Sequence, residues 1–140
     1  MNNWKIFAVC SAVFAGLTAV FAKVGVRNIS SNFATLIRTF IVLVFLSLLI
    51  GFRKEWRNPL HLDKQSLIFL ILSGLATGLS WLCYFRALQT GPAALVSSID
   101  KMSLFFAVLL SILFLGEHLN VYEWTGAALI FTGTLLIAMR

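Results

Sequence analysis

The chain has 140 residues, of which 60% are hydrophobic, 14% aromatic and 11% charged. A soluble domain is nearer half apolar and a quarter charged, so the composition argues against a water-soluble enzyme, a disordered chain and a disulfide-stapled secreted domain. The formal charge is +6, but the basic residues scatter through loops and span ends with no compact run, which reads as topology control at a membrane and not as nucleic-acid binding.

Five apolar spans of about 20 residues each fit this length. Span one is expected at about 4–22 and ends at Lys23. Its apolar stretch, 6–22, is longer than a usual signal-peptide core and four more runs follow, so it reads as a retained span. Residues 25–32 form a short polar connection. Span two is expected at about 33–52, with Arg38 in its first third. The one sizeable loop, 53–65, is rich in charge and contains Pro59. Span three covers about 66–88, carries Arg86 near its end and leads into a Gly91-Pro92 turn. Span four, about 93–115, holds Asp100 and Lys101 side by side. Residues 116–120 make the next loop, span five covers about 121–139, and Arg140 follows. Backbone in lipid is helical or in a closed barrel. Continuous apolar runs without period-2 alternation argue against a barrel. The expected fold is an all-α integral membrane protein, one domain over 1–140 with five transmembrane helices.

With the amino end cytoplasmic, Lys5, Arg53, Lys54, Arg57 and Lys64 lie inside, against Lys23, Arg27 and Arg140 outside. This favours amino end in and carboxyl end out. The three remaining basic residues, Arg38, Arg86 and Lys101, lie within spans towards their outer ends, so the bias is weak. A weak bias is what a protein inserting in both orientations needs.

An ionisable group inside the bilayer is costly and is a functional candidate by default. Followed through the alternating spans, Lys23, Arg38, Arg86, Asp100 and Lys101 share one leaflet and sum to +3. That pattern points to a polar cavity open to one side and favourable to an anion. At 1.5 Å per residue, Asp100 lies ~10 Å below the start of span four and Arg38 ~7 Å below the start of span two. Lys23 and Arg86 are near enough to the span ends to snorkel. Arg38 and Asp100 read equally well as transport or gating residues and as a plain buried ion pair. Asp100 is the sole carboxylate well inside a span, so it is the candidate for proton coupling. Lys101 is about 100° further round the helix and faces elsewhere. Glu117 and His118 read as an interfacial helix end.

Small residues mark helix packing: Gly74 and Gly78 in span three, and an alanine stripe along span one that includes Ala8, Ala12 and Ala19. Trp81 and Tyr84 lie three apart on one face of span three, as cavity walls or as packing. Ser97, Ser98 and Ser103 bring hydroxyls near Asp100, with Thr77 and Ser80 as further sources. Cys10 and Cys83 read as small apolar side chains. No paired carboxylates, metal spacing or nucleophile–base pair occurs in the spans, so neither an enzyme nor a cofactor is expected.

The stretch Trp81-Leu-Cys-Tyr-Phe-Arg-Ala-Leu-Gln-Thr-Gly-Pro-Ala-Ala-Leu-Val-Ser-Ser-Ile-Asp-Lys-Met-Ser resembles the EamA domain of the drug/metabolite transporter superfamily. So do Leu-Phe-Leu-Gly-Glu at 113–117 and Gly126 and Gly133. The likeness covers essentially the whole chain and is strongest over 74–137. Where the family often carries a proline before Ile-Asp-Lys, this chain has Ser98, which removes the residue that would fix a break in span four. Most family members hold two five-helix halves; this chain is similar to the short bacterial and archaeal members with one. The first carboxylate is Glu55, in a loop, unlike the first-span glutamate of four-helix multidrug exporters.

The resemblance implies a secondary transporter or exporter of small metabolites in a bacterial inner membrane. Alternating access is usually built from two inverted repeats. One EamA-type inverted-repeat half reaches that architecture as a homodimer, antiparallel in the simplest form, with a two-fold axis in the membrane plane. The expected partners are the lipid bilayer, a second copy and a small-molecule substrate, for which the +3 sum of the embedded charges favours an anion. Arg38, Asp100 and Lys101 are expected to line or gate a central cavity, with Trp81 and Tyr84 as walls and Arg86 nearby. The alternative is a non-transporting membrane scaffold or accessory subunit.

Overall fold

The computed structural model describes residues 3–56 and 63–139. Arg57, Pro59 and Arg140, which enter the topology argument, lie outside the described residues. The described residues form helices α1 (Asn3–Gly25), α2 (Ser31–Arg53), α3 (Lys64–Thr90), α4 (Ala93–Asp100), α5 (Met102–Leu110) and α6 (Val121–Ala138). A π-helical turn, Ser111–Leu115, follows α5. With α4, α5 and the π turn taken as one run, five helical segments of 18–27 residues are long and apolar enough to cross a membrane. No strand occurs among the described residues. The fold class is therefore all-α and membrane-spanning, because apolar side chains on every face of a helix leave lipid as its solvent.

Local chemistry sets the helix ends. The Ser30 hydroxyl accepts from the Phe33 amide at 3.3 Å at the start of α2. At its other end the chain closes through Lys54 N–H to Gly51 O (3.2 Å) and Glu55 N–H to Ile50 O (3.1 Å). This puts Lys54 in the left-handed region at φ 54°. The Asp63 carboxylate accepts from the Ser66 amide at 3.3 Å ahead of α3. A reciprocal capping box opens α6: Glu123 N–H donates to Asn120 Oδ1 (3.0 Å) and Asn120 N–H to Glu123 Oε2 (2.8 Å).

The chain divides into two compact units. The first, Ala22–Gln89, contains the end of α1, all of α2 and nearly all of α3. Here the Gln89 amide donates to Ile29 O at 2.8 Å and to Val26 O at 3.5 Å. The Lys23 ammonium donates to Leu88 O at 2.6 Å, placing a cation on the carbonyl end of α3. Val26, Phe85 and Leu88 are buried around this knot.

The second unit holds most of α1 together with α4, α5 and α6. Both α4 and α5 pack along α6, and the Phe105 and Phe131 rings stack at 4.3 Å. Span four is interrupted between α4 and α5 although it lacks the proline. Around Lys101 the backbone tightens: Lys101 N–H donates to Ser98 O and Leu104 N–H to Lys101 O, both at 3.1 Å. These are three-residue spacings in place of four. The Ser98 hydroxyl donates back to Ala94 O at 2.8 Å, a back-bond that bends helices.

A Cβ built on Gly74 or Gly78 meets nothing within 4 Å. Along the α1 stripe Ala19 is buried while Ala8 and Ala12 stay exposed.

Candidate functional site

In the Ala22–Gln89 unit, Arg38 and Trp81 come together. The guanidinium carbon lies 4.3 Å from the Trp81 ring centroid and 5.5 Å from that of Phe85. Trp81 and Phe85 are four apart on α3, so both rings sit on the face that meets Arg38. Phe85 is buried, Arg38 and Trp81 are half-buried, and the Tyr84 ring meets Phe85 edge-on at 6.5 Å. Sequence reasoning paired Trp81 with Tyr84 and missed Phe85; the signal was the i, i+4 spacing of two aromatic residues opposite an embedded cation.

The depth of this cluster follows from helix geometry. Trp81 lies nine residues before the end of α3, ~13 Å along its axis. The Arg38 side chain thus stays at the level of the aromatic rings and does not extend to the helix ends. Among the described residues of its unit no carboxylate lies within 4 Å of the guanidinium and it donates no hydrogen bond.

Arg86 occupies a different face of α3. Its Nη1 donates to Gln89 Oε1 at 3.4 Å. It also lines an open cleft of about 420 Å³ with Ser30, Ser31, Asn32, Leu82 and Cys83. Gln89, also missed in the sequence, ties Arg86 to the carbonyls of the α1–α2 connection.

In the other unit, Asp100 closes α4 and Lys101 forms the interruption before α5. Both are exposed on the chain, and neither has an ion-pair partner among the described residues of their unit. Of the hydroxyls expected near Asp100, that of Ser98 is tied to its own helix backbone. The same holds for Thr77, which donates to Ser73 O at 2.8 Å in α3.

Comparison with known proteins gives this geometry a family. The EamA-like transporter family matches residues 2–139. The chain is 49% identical over 138 residues to an uncharacterised transporter from the cobO 3′ region of a Sinorhizobium species, covering 99% of this chain and 98% of that one. It is 26% identical to the uncharacterised transporter YxxF of Bacillus subtilis, matching 100% of this chain to 44% of the longer protein. Over 76 residues it is 34% identical to the pseudopaline exporter CntI of Pseudomonas aeruginosa, covering 54% of this chain and 27% of the exporter. No solved structure matches the chain significantly. A family match over nearly the whole length, a transporter relative of the same size and five helices fit to cross a bilayer lead to one conclusion: this chain belongs to the EamA-like transporter family, as a short, multi-pass membrane transporter.

Proposed function

We propose that the protein is a secondary transporter that exports small metabolites across a bacterial inner membrane, working as a homodimer of five-helix halves around a polar cavity. The observation that carries this reading is the set of embedded charges with no carboxylate or ammonium partner among the described residues of their own units. Arg38 is held by aromatic rings, and Asp100 and Lys101 are exposed at a helix interruption. Exposed to lipid, such groups are expensive; against a water-filled cavity or a second copy they are tolerated. A similar protein of roughly twice the length supports pairing of two halves, and a relative named as an exporter supports the direction. An odd number of spans makes the antiparallel pair the counterpart of an inverted repeat. The amino end is cytoplasmic in the orientation favoured by charge, and the whole chain acts as one domain. Arg38, Asp100 and Lys101 face the substrate path, Trp81 and Tyr84 wall it, Arg86 stands beside it, and Asp100 carries the coupling proton.

Flux from proteoliposomes loaded with a mixed pool of labelled amino acids and organic acids tests this. Reconstituted protein is expected to release at least one class of label. Asp100→Asn and Arg38→Gln, folded by circular dichroism, are expected to slow release by about tenfold or more, the scale of one lost charged hydrogen bond. Equal release by all three proteins would remove these residues from the path, and no release by any would favour the accessory-subunit reading.

A further inference from the structure

From the Arg38 cage we infer that the group docking there is a carboxylate, so that the substrates are small organic monoanions. This rests on the transport reading above and names the chemistry of its site. Three features support the choice. The guanidinium is held over Trp81 and Phe85, ~13 Å along α3 from its end. Aromatic faces stabilise a cation but do not use its N–H groups, which project from the edge of the plane. Those donors make no hydrogen bond to the described residues of their unit, so a planar fork is left open.

A fork of this kind matches two ligand groups, carboxylate and phosphate, both bound in bidentate fashion. Charge decides between them. Arg38 contributes one positive charge; of the neighbouring cations of the unit, Lys23 donates to the Leu88 carbonyl and Arg86, on another face of α3, donates to Gln89 Oε1. A carboxylate neutralises one charge; a phosphate dianion would leave one negative charge uncompensated in a low-dielectric setting. Trp81 and Phe85 hold the guanidinium in place beforehand, so little side-chain freedom is lost on binding.

Fluorescence of Trp81 reads this site directly. In full-length protein carrying Trp4→Phe, Trp56→Phe and Trp124→Phe, Trp81 is the remaining tryptophan. Purified in detergent, this protein is titrated with acetate, lactate and glutamate, with acetamide, lactamide and glutamine, and with inorganic phosphate. The carboxylates are expected to shift the emission at concentrations at least about tenfold below their amides, the scale of a charge-assisted pair. Arg38→Gln is expected to abolish that preference. Arg38→Lys, which keeps the charge but loses the planar fork, is expected to weaken it several-fold and serves if the glutamine variant does not fold. Amides binding as well as acids, phosphate binding more tightly than any carboxylate, no response to any probe, or an unchanged preference in Arg38→Lys would each overturn the inference. Because the assay reads binding without flux, carboxylate binding with no release from liposomes would refute the transport reading and leave the site standing. Release of uncharged label that carboxylates do not inhibit would do the reverse.

Discussion

At Arg38 a cation is kept at depth by aromatic rings instead of a carboxylate. The sequence marks the residue but not its neighbours, because ring contacts across helices depend on the register of α2 against α3. Its other polar anchors are of a simpler kind. Gln89 donates to the Ile29 and Val26 carbonyls, which have no helical partner past the end of α1. Gln89→Leu keeps the bulk and strands those acceptors. It is expected to lower unfolding free energy in detergent by about 1–2 kcal/mol; an unchanged midpoint in a denaturant titration would show the two carbonyls satisfied by water. Lys23 stands apart from Arg38 for the same reason, since its ammonium already meets the carbonyl end of α3.

Two residues that end helices in the left-handed region make opposite predictions at the scale of the element. Gly116 follows the π turn at φ 66°, where glycine carries no steric penalty. Lys54 adopts φ 54° at the end of α2, where a Cβ is disfavoured. Gly116→Ala is expected to destabilise and Lys54→Gly to stabilise, each by about 1 kcal/mol. Thermal melts in one detergent check both, and shifts of the same sign would refute the conformational account. The α4–α5 interruption shows where motif reasoning runs short. The proline signal is absent and the Ser97-Ser98 pair is a weaker mark of a soft point, yet Ser98 bonding back to Ala94 and the tightened turns at Lys101 interrupt the helix without a proline. The π turn at Ser111–Leu115 left no signal at all.

For the whole molecule, most large apolar side chains of the spans are exposed on the chain, as expected of helices whose solvent is lipid. The unoccupied faces at Gly74 and Gly78 leave room for close approach by another helix. The dimer reading makes a prediction about sidedness. With Cys10 and Cys83 replaced by alanine, single cysteines at Asn3→Cys and Met139→Cys are expected to react with an impermeant thiol reagent from both faces of the membrane. One fixed sidedness for every molecule would exclude the antiparallel pair and leave a parallel one.

Much of this protein was legible from composition and hydropathy. Sixty per cent apolar residues in five long runs have few stable arrangements other than helices crossing lipid, because unsatisfied backbone groups are not tolerated there. The motif 81–103 with Leu-Phe-Leu-Gly-Glu at 113–117 was enough to identify the family. What the sequence left open is set by side-chain geometry in three dimensions. The Arg38–Trp81–Phe85 stack joins residues more than forty positions apart, and the α3 knot joins Gln89 to carbonyls sixty or more positions away. Periodicity reports which face of a helix a residue occupies, whereas only the packed helices decide which side chain lies opposite it.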